Sequence, residues 1–206
     1  MLKAVIRAQT VFFRRMGEAI ETNYALLQKL EQSLISALPQ RIVSALETLE
    51  YSLSGCQVSR LSHSLKTVAL AEKNSVDIEL IIALLIHHID DHLTLEKHSQ
   101  MAAATIRLYF NSEVICVLQM HGVFQMYCYA DKIEQNACER ERWREHQWFA
   151  SCERFRRAWD KALFDPAFDS KTLSHFTPMI NEILSRVAFV PHVISRDCSG
   201  PQVDRL

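Results

Sequence analysis

The stretch 77–92, DIELIIALLIHHIDDH, decides how the chain is read. From Ile78 to Ile86 every residue except Glu79 is apolar, and Asp77 stands where a helix prefers its N-cap. A helix that is apolar on nearly every side belongs in the interior of a domain, and this one is far short of the ~20 residues that a membrane span needs. It runs directly into His87, His88, Asp90, Asp91 and His92. On a continuing helix, His87 and Asp91 share a face one turn apart. Imidazole and carboxylate together suit iron, manganese, zinc or nickel. Burying such groups is costly unless they are paired or bound to an ion, so a cluster attached to so apolar a helix needs partners.

The periodicity outside this stretch is also helical. Val5, Phe12, Phe13, Met16, Ile20, Leu26, Leu27, Leu30 and Leu34 predict a helix over 2–36, which Pro39 interrupts. Further helices are predicted over 40–53, 57–73, 77–92, 96–110, 113–128, 135–147, 148–163 and 171–187, and 190–206 reads as a tail. The expected architecture is all-α, with an N-terminal helical extension over 1–52 and a main domain over 53–189. The extension holds no clustered histidine, cysteine or paired acid, and packing or homodimerisation is the role expected of its helices.

Composition narrows the function classes. A chain of 206 residues has room for one full domain. Only four glycines occur, too few for a strand-rich fold with many tight turns. The net charge of −1 gives no basic field for nucleic acid, so none is expected as a partner. None of the six cysteines forms a C-x-x-C pair, and they read as reduced thiols rather than a zinc finger. The N-terminus carries Lys3, Arg7, Arg14 and Arg15 but no apolar core of signal-peptide length, and it reads as a helix of the mature protein rather than a transit peptide. A cytoplasmic protein without a membrane span is expected.

Further histidines extend the pattern: His63 in RLSHSLKTVALAE, His98 in EKHSQMAAATI and His121 in MHGVFQ, with a late Asp160 in RRAWDKALFD. This succession resembles the H…HD…H…H…D order of the HD superfamily, helical proteins that bind one or two metal ions. HSLKTVALAEKNSVDIELIIALLIHHI, RERWREHQWF and WDKALFDPAFDSKTLSHF resemble the bacterial branch described as predicted HD phosphohydrolases, which is related to phosphonate-cleaving di-iron oxygenases. The likeness covers about residues 53–187. It implies an HD-type helical bundle in which His63, His87, His88, His98, His121 and Asp160 hold a divalent transition metal (iron, manganese or similar), one or two ions, with Asp91 as a compensating carboxylate. It also implies that Arg157 clamps a small anionic substrate and that Gln125 stands where the oxygenases use a lysine.

The signature aspartate is His88 here. A carboxylate has two oxygens and can bridge two ions, whereas a neutral imidazole has one free lone pair and serves one. The tyrosine and glutamate that the oxygenases carry before the first histidine correspond by spacing to Leu53 and Cys56. Three readings remain open: a metalloenzyme with a rearranged site in which metal-activated water attacks a phosphoester or similar bond, an HD-fold binding module without turnover, or an interaction protein.

Overall fold

A computed structural model describes residues 10–52, 55–160 and 164–188. These residues are all-helical, with no strand among them. The α-helices are α1 (Glu21–Ser36), α2 (Leu38–Thr48), α3 (Arg60–Lys73), α4 (Ile78–Ile86), α5 (His98–Ile106), α6 (Ser112–Met126), α7 (Phe149–Phe155) and α8 (Leu173–Leu184). The last turn of α7 widens into a π-helical turn, Arg156–Asp160. No helix of the described residues is long and apolar enough to cross a membrane.

The apolar run does form the central helix. Ile82, Leu84, Leu85 and Ile86 of α4 are completely buried, each contributing about 1.5–3 kcal/mol of hydrophobic stabilisation. Helix α4 packs against α3, α6 and α8, while α5 lies on α6 and α2 lies on α8. Phe110, Phe124, Phe155, Trp159 and Phe176 fill the same core. Ile42, Val43 and Leu46 of α2 also join it. Ile42, Val43, Leu46 and Leu49 thus pack in one core with the helices that follow.

Several predicted boundaries shift. The helix expected over 2–36 begins at Glu21, because the Asn23 side chain accepts from the Ile20 amide at 3.2 Å and fixes the start there. Residues 1–9 lie outside the described residues, as do 189–206, which hold the expected tail. Pro39 does mark the break between two helices, with α1 ending at Ser36 and α2 beginning at Leu38. It occupies the first turn of α2, where a missing N–H costs nothing. The helix expected over 135–147 is replaced by 3-10 turns at Ala130–Ile133 and Glu139–Trp143. Helix α1 buries none of its side chains fully and leaves Leu30, Leu34 and Ile35 exposed.

Helix α3 is started by Ser59. Its hydroxyl accepts from the Ser62 amide at 3.0 Å and donates to Glu50 Oε2 at 2.7 Å. Replacing Ser59 with alanine is expected to cost about 1 kcal/mol, read as a lower urea midpoint with unchanged slope. An unchanged midpoint would mean that this cap does not hold α3 in place.

Candidate metal centre

Four helices and one turn bring the histidines together. His63 comes from the first turns of α3, His87 and His88 from the C-terminal end of α4, His98 from the start of α5 and His121 from the last turns of α6. Asp160 closes the π turn after α7. Centroids of neighbouring imidazoles lie 4.0–5.8 Å apart. His63, His87, His121 and Asp160 have no exposed surface. Phe164 stacks on His63 at 4.6 Å, and Phe155 stands 5.9 Å from both His87 and His121. Gly122 permits the close approach of α5 to α6, since a Cβ there would come within 2.8 Å of Ser99 Oγ.

The ring nitrogens have assigned roles. His87 Nδ1 donates to Leu84 O, His98 Nδ1 to Leu95 O at 2.7 Å, and His121 Nδ1 to Leu118 O at 2.7 Å. A carbonyl only accepts, so each neutral ring carries its proton on Nδ1 and presents a bare Nε2 lone pair. His88 reaches the same state differently: its Nδ1 donates to Asp91 Oδ1 at 3.2 Å. A second nitrogen tied to a carbonyl or carboxylate is the arrangement that orients metal-binding histidines.

The lone pairs then converge. Ligand atoms of His63, His87, His88 and Asp160 all lie within 4.8 Å of one another, and so do those of His88, His98 and His121. Asp160 Oδ1 is 3.1 Å from His63 Nε2 and 3.7 Å from His87 Nε2. The His98 and His121 Nε2 atoms are 3.0 Å apart, two acceptors face to face, with the Ser99 hydroxyl 3.4 Å from the first and 3.5 Å from the second. His87 Nε2, His88 Nε2 and Asp160 Oδ2 are buried without a hydrogen-bond partner. Buried acceptors left this way are costly, and a shared cation offsets that cost. The donor set of three imidazoles and one carboxylate fits a divalent transition metal, and this buried group could hold a metal ion.

Burial sets the protonation states. It lowers His87 and His88 below the usual histidine range, and it pushes His121 down to about 3 with help from the neighbouring His87 and His98. All three are therefore neutral near pH 7 and ready to ligate. Burial would raise Asp160, but its hydrogen bond with His63 and the adjacent His87 ring outweigh it and hold the carboxyl well below its ordinary value.

The remaining sequence-read residues are placed differently. Asp91 contacts His88 rather than His87, and it orients that ring. The cause is local: α4 ends at Ile86, and residues beyond it follow i to i−3 bonds, Ile89 N to Ile86 O and Asp91 N to His88 O. At three residues per turn, i and i+3 eclipse. The second oxygen of Asp91 pairs with Arg60 Nε at 3.0 Å. Asp90 turns toward Thr105, with burial raising its carboxyl. Arg157 is exposed and the adjacent Arg156 is buried, its Nη1 donating to Cys128 Sγ at 3.1 Å. The wider π turn rotates Arg157 off the face of Asp160. Gln125 is half-buried, one turn beyond His121, and its side chain bonds none of the histidines. Arg60 and Ser99 went unread. Neither has a local signal, since each meets the cluster only through tertiary contact.

The fold and site define a helical protein with a buried histidine–aspartate cluster of metal-binding type. The chain matches no family model, and no curated protein matches it.

Proposed function

We propose that the chain is a divergent HD-type metalloprotein that holds one divalent transition metal, iron or manganese in character, and uses it to bind or hydrolyse a small anionic molecule of phosphate or phosphonate type. His63, His87, His88 and Asp160 would hold the ion, with His98 and His121 beside the bound molecule. The observation that carries this reading is the convergence of His87 Nε2, His88 Nε2 and Asp160 Oδ2, buried and unpartnered, on one space. The order of these residues along the chain supports it independently.

A bound divalent ion supplies positive charge that polarises a phosphoryl or carboxyl oxygen. The chain's own residues do the rest. Leu84 O and Asp91 hold the His87 and His88 rings in their ligating tautomers. Asp160 supplies the one anionic ligand, and Phe155 and Phe164 exclude water from the rings. A second reading, an HD-fold binding module without turnover, is favoured by one observation: His88 stands where the bridging carboxylate of the resembled family would be.

The test is elemental analysis of the purified full chain beside Asp160→Asn and His87→Ala. Wild type is expected to carry about one transition-metal ion per chain, and each variant to lose most of it, since removing a ligand weakens such sites by well over the roughly 10–100-fold seen for outer-shell partners. A metal-free wild type that takes up no added iron, manganese or zinc would sink the proposal.

A further inference from the structure

The family resemblance implies a substrate-clamping arginine at Arg157, but that residue is exposed. The cation that does reach the cluster is Arg60, the first residue of α3. Its side chain is 18% exposed, and its Nε lies 3.0 Å from Asp91 Oδ2. The other oxygen of Asp91 accepts from His88 Nδ1 at 3.2 Å. The guanidinium is thus separated from a ligand imidazole by a single carboxylate. Arg60 is near enough to act electrostatically on His88 and on the phenol of Tyr129, which also feels Asp160. Tyr129 is itself 38% exposed.

The geometry of the pair matters. A guanidinium has two edges that can each grip an oxyanion with parallel N–H groups. Asp91 pairs with Arg60 at Nε as an ion pair without hydrogen-bond geometry, and among the described residues no protein group engages its Nη1/Nη2 edge. Arg140 and Arg156 are otherwise committed. Arg140 pairs with Glu141 and Glu153 and stacks on Tyr127 at 3.6 Å, and Arg156 bonds Cys128. Asp91 also neutralises Arg60 enough for it to sit beside a metal site, while its planar fork remains available.

Resting on the metalloprotein reading above, we propose that Arg60 is the anion-recognition residue of this centre: the charge of Asp91 keeps it beside His88, and its Nη1/Nη2 edge grips the oxyanion group of the small molecule. Phosphate, phosphonate and carboxylate share the required chemistry. Specificity would then arise from the same Asp91 that orients His88, which ties ligand recognition to the geometry of the ligand set.

The experiment titrates inorganic phosphate calorimetrically into the full chain, once loaded with manganese and once stripped by chelator, with metal content measured in parallel. Arg60→Gln is expected to weaken phosphate binding at least about tenfold in both states, the loss of charged hydrogen bonds, with metal content unchanged. Arg157→Gln is expected to bind phosphate within about twofold of wild type, as an exposed charge should. Arg60→Lys keeps the charge without the planar edge and should fall between wild type and Arg60→Gln. Unchanged phosphate affinity in Arg60→Gln, full affinity in Arg60→Lys, or no phosphate binding by wild type would overturn the proposal. Loss of metal from Arg60→Gln would also overturn it, showing that Arg60 acts only through Asp91 on His88. A wild type that binds no metal but binds phosphate through Arg60 would sink the metalloprotein reading and leave the role of Arg60 standing.

Discussion

His88→Asp is expected to raise the metal content of the purified protein from about one ion per chain to about two, because a carboxylate can serve both positions of a paired site and an imidazole cannot. The two candidate ligand groups, His63–His87–His88–Asp160 and His88–His98–His121, share one residue, His88. Its Nδ1 is occupied by Asp91, so only Nε2 is free. Whichever group takes that lone pair leaves the other with one donor fewer. An aspartate there offers one oxygen to each group and adds a negative charge to a cluster whose sole anionic ligand is Asp160. It would also face Asp91 without a donor between them, and Arg60 is on hand to offset that repulsion. Elemental analysis with quantified protein reads the result directly. A folded His88→Asp variant that still carries one ion would show that the histidine is not what limits the site.

What could be read from the sequence divides along a physical line. The central helix was legible because nine consecutive residues from Ile78 to Ile86 leave no polar face, and its burial follows from composition alone. The convergence of His63, His87, His88 and Asp160 was legible from residue type and order. Details that depend on local winding were not. Asp91 was assigned to the face of His87 on the assumption of 3.6 residues per turn, and the tighter winding after Ile86 gave it to His88. The family resemblance offers Arg157 as a clamp three residues before Asp160, and the structure leaves it exposed on the wider turn Arg156–Asp160. Arg60 was invisible for another reason: its partner Asp91 lies in a different element, and no spacing rule connects them.

Acid is expected to destabilise the metal-stripped protein well before ordinary carboxylates titrate. His87, His88 and His121 are buried, and burial holds the folded pKa of each below its unfolded value of about 6.5. Above that pH both folded and unfolded chains carry these rings neutral, so the histidines contribute no pH dependence. As pH falls below it, the unfolded chain binds protons that the folded chain refuses. Stability rises with pH wherever the unfolded state holds more protons, so it must fall here on acidification. Each refused proton is worth about 1.4 kcal/mol per pH unit, or up to roughly 4 kcal/mol per unit for the three together. For His121 the loss continues to about pH 3, where its folded form finally takes a proton. Asp160 adds to the loss only at the end of that range. Its folded carboxyl is depressed, so its stabilising contribution is intact above the unfolded value of about 3.9 and fades below it. Urea unfolding of the stripped protein at pH 7.5, 6 and 5 should therefore show a midpoint that is steady at first and then drops steeply. His121→Gln, which removes one refused proton, should make the drop shallower. A midpoint that stays flat from pH 7.5 to 5 would mean that the rings admit protons freely, and the dry, unpartnered cluster on which the metal reading depends would not exist in solution.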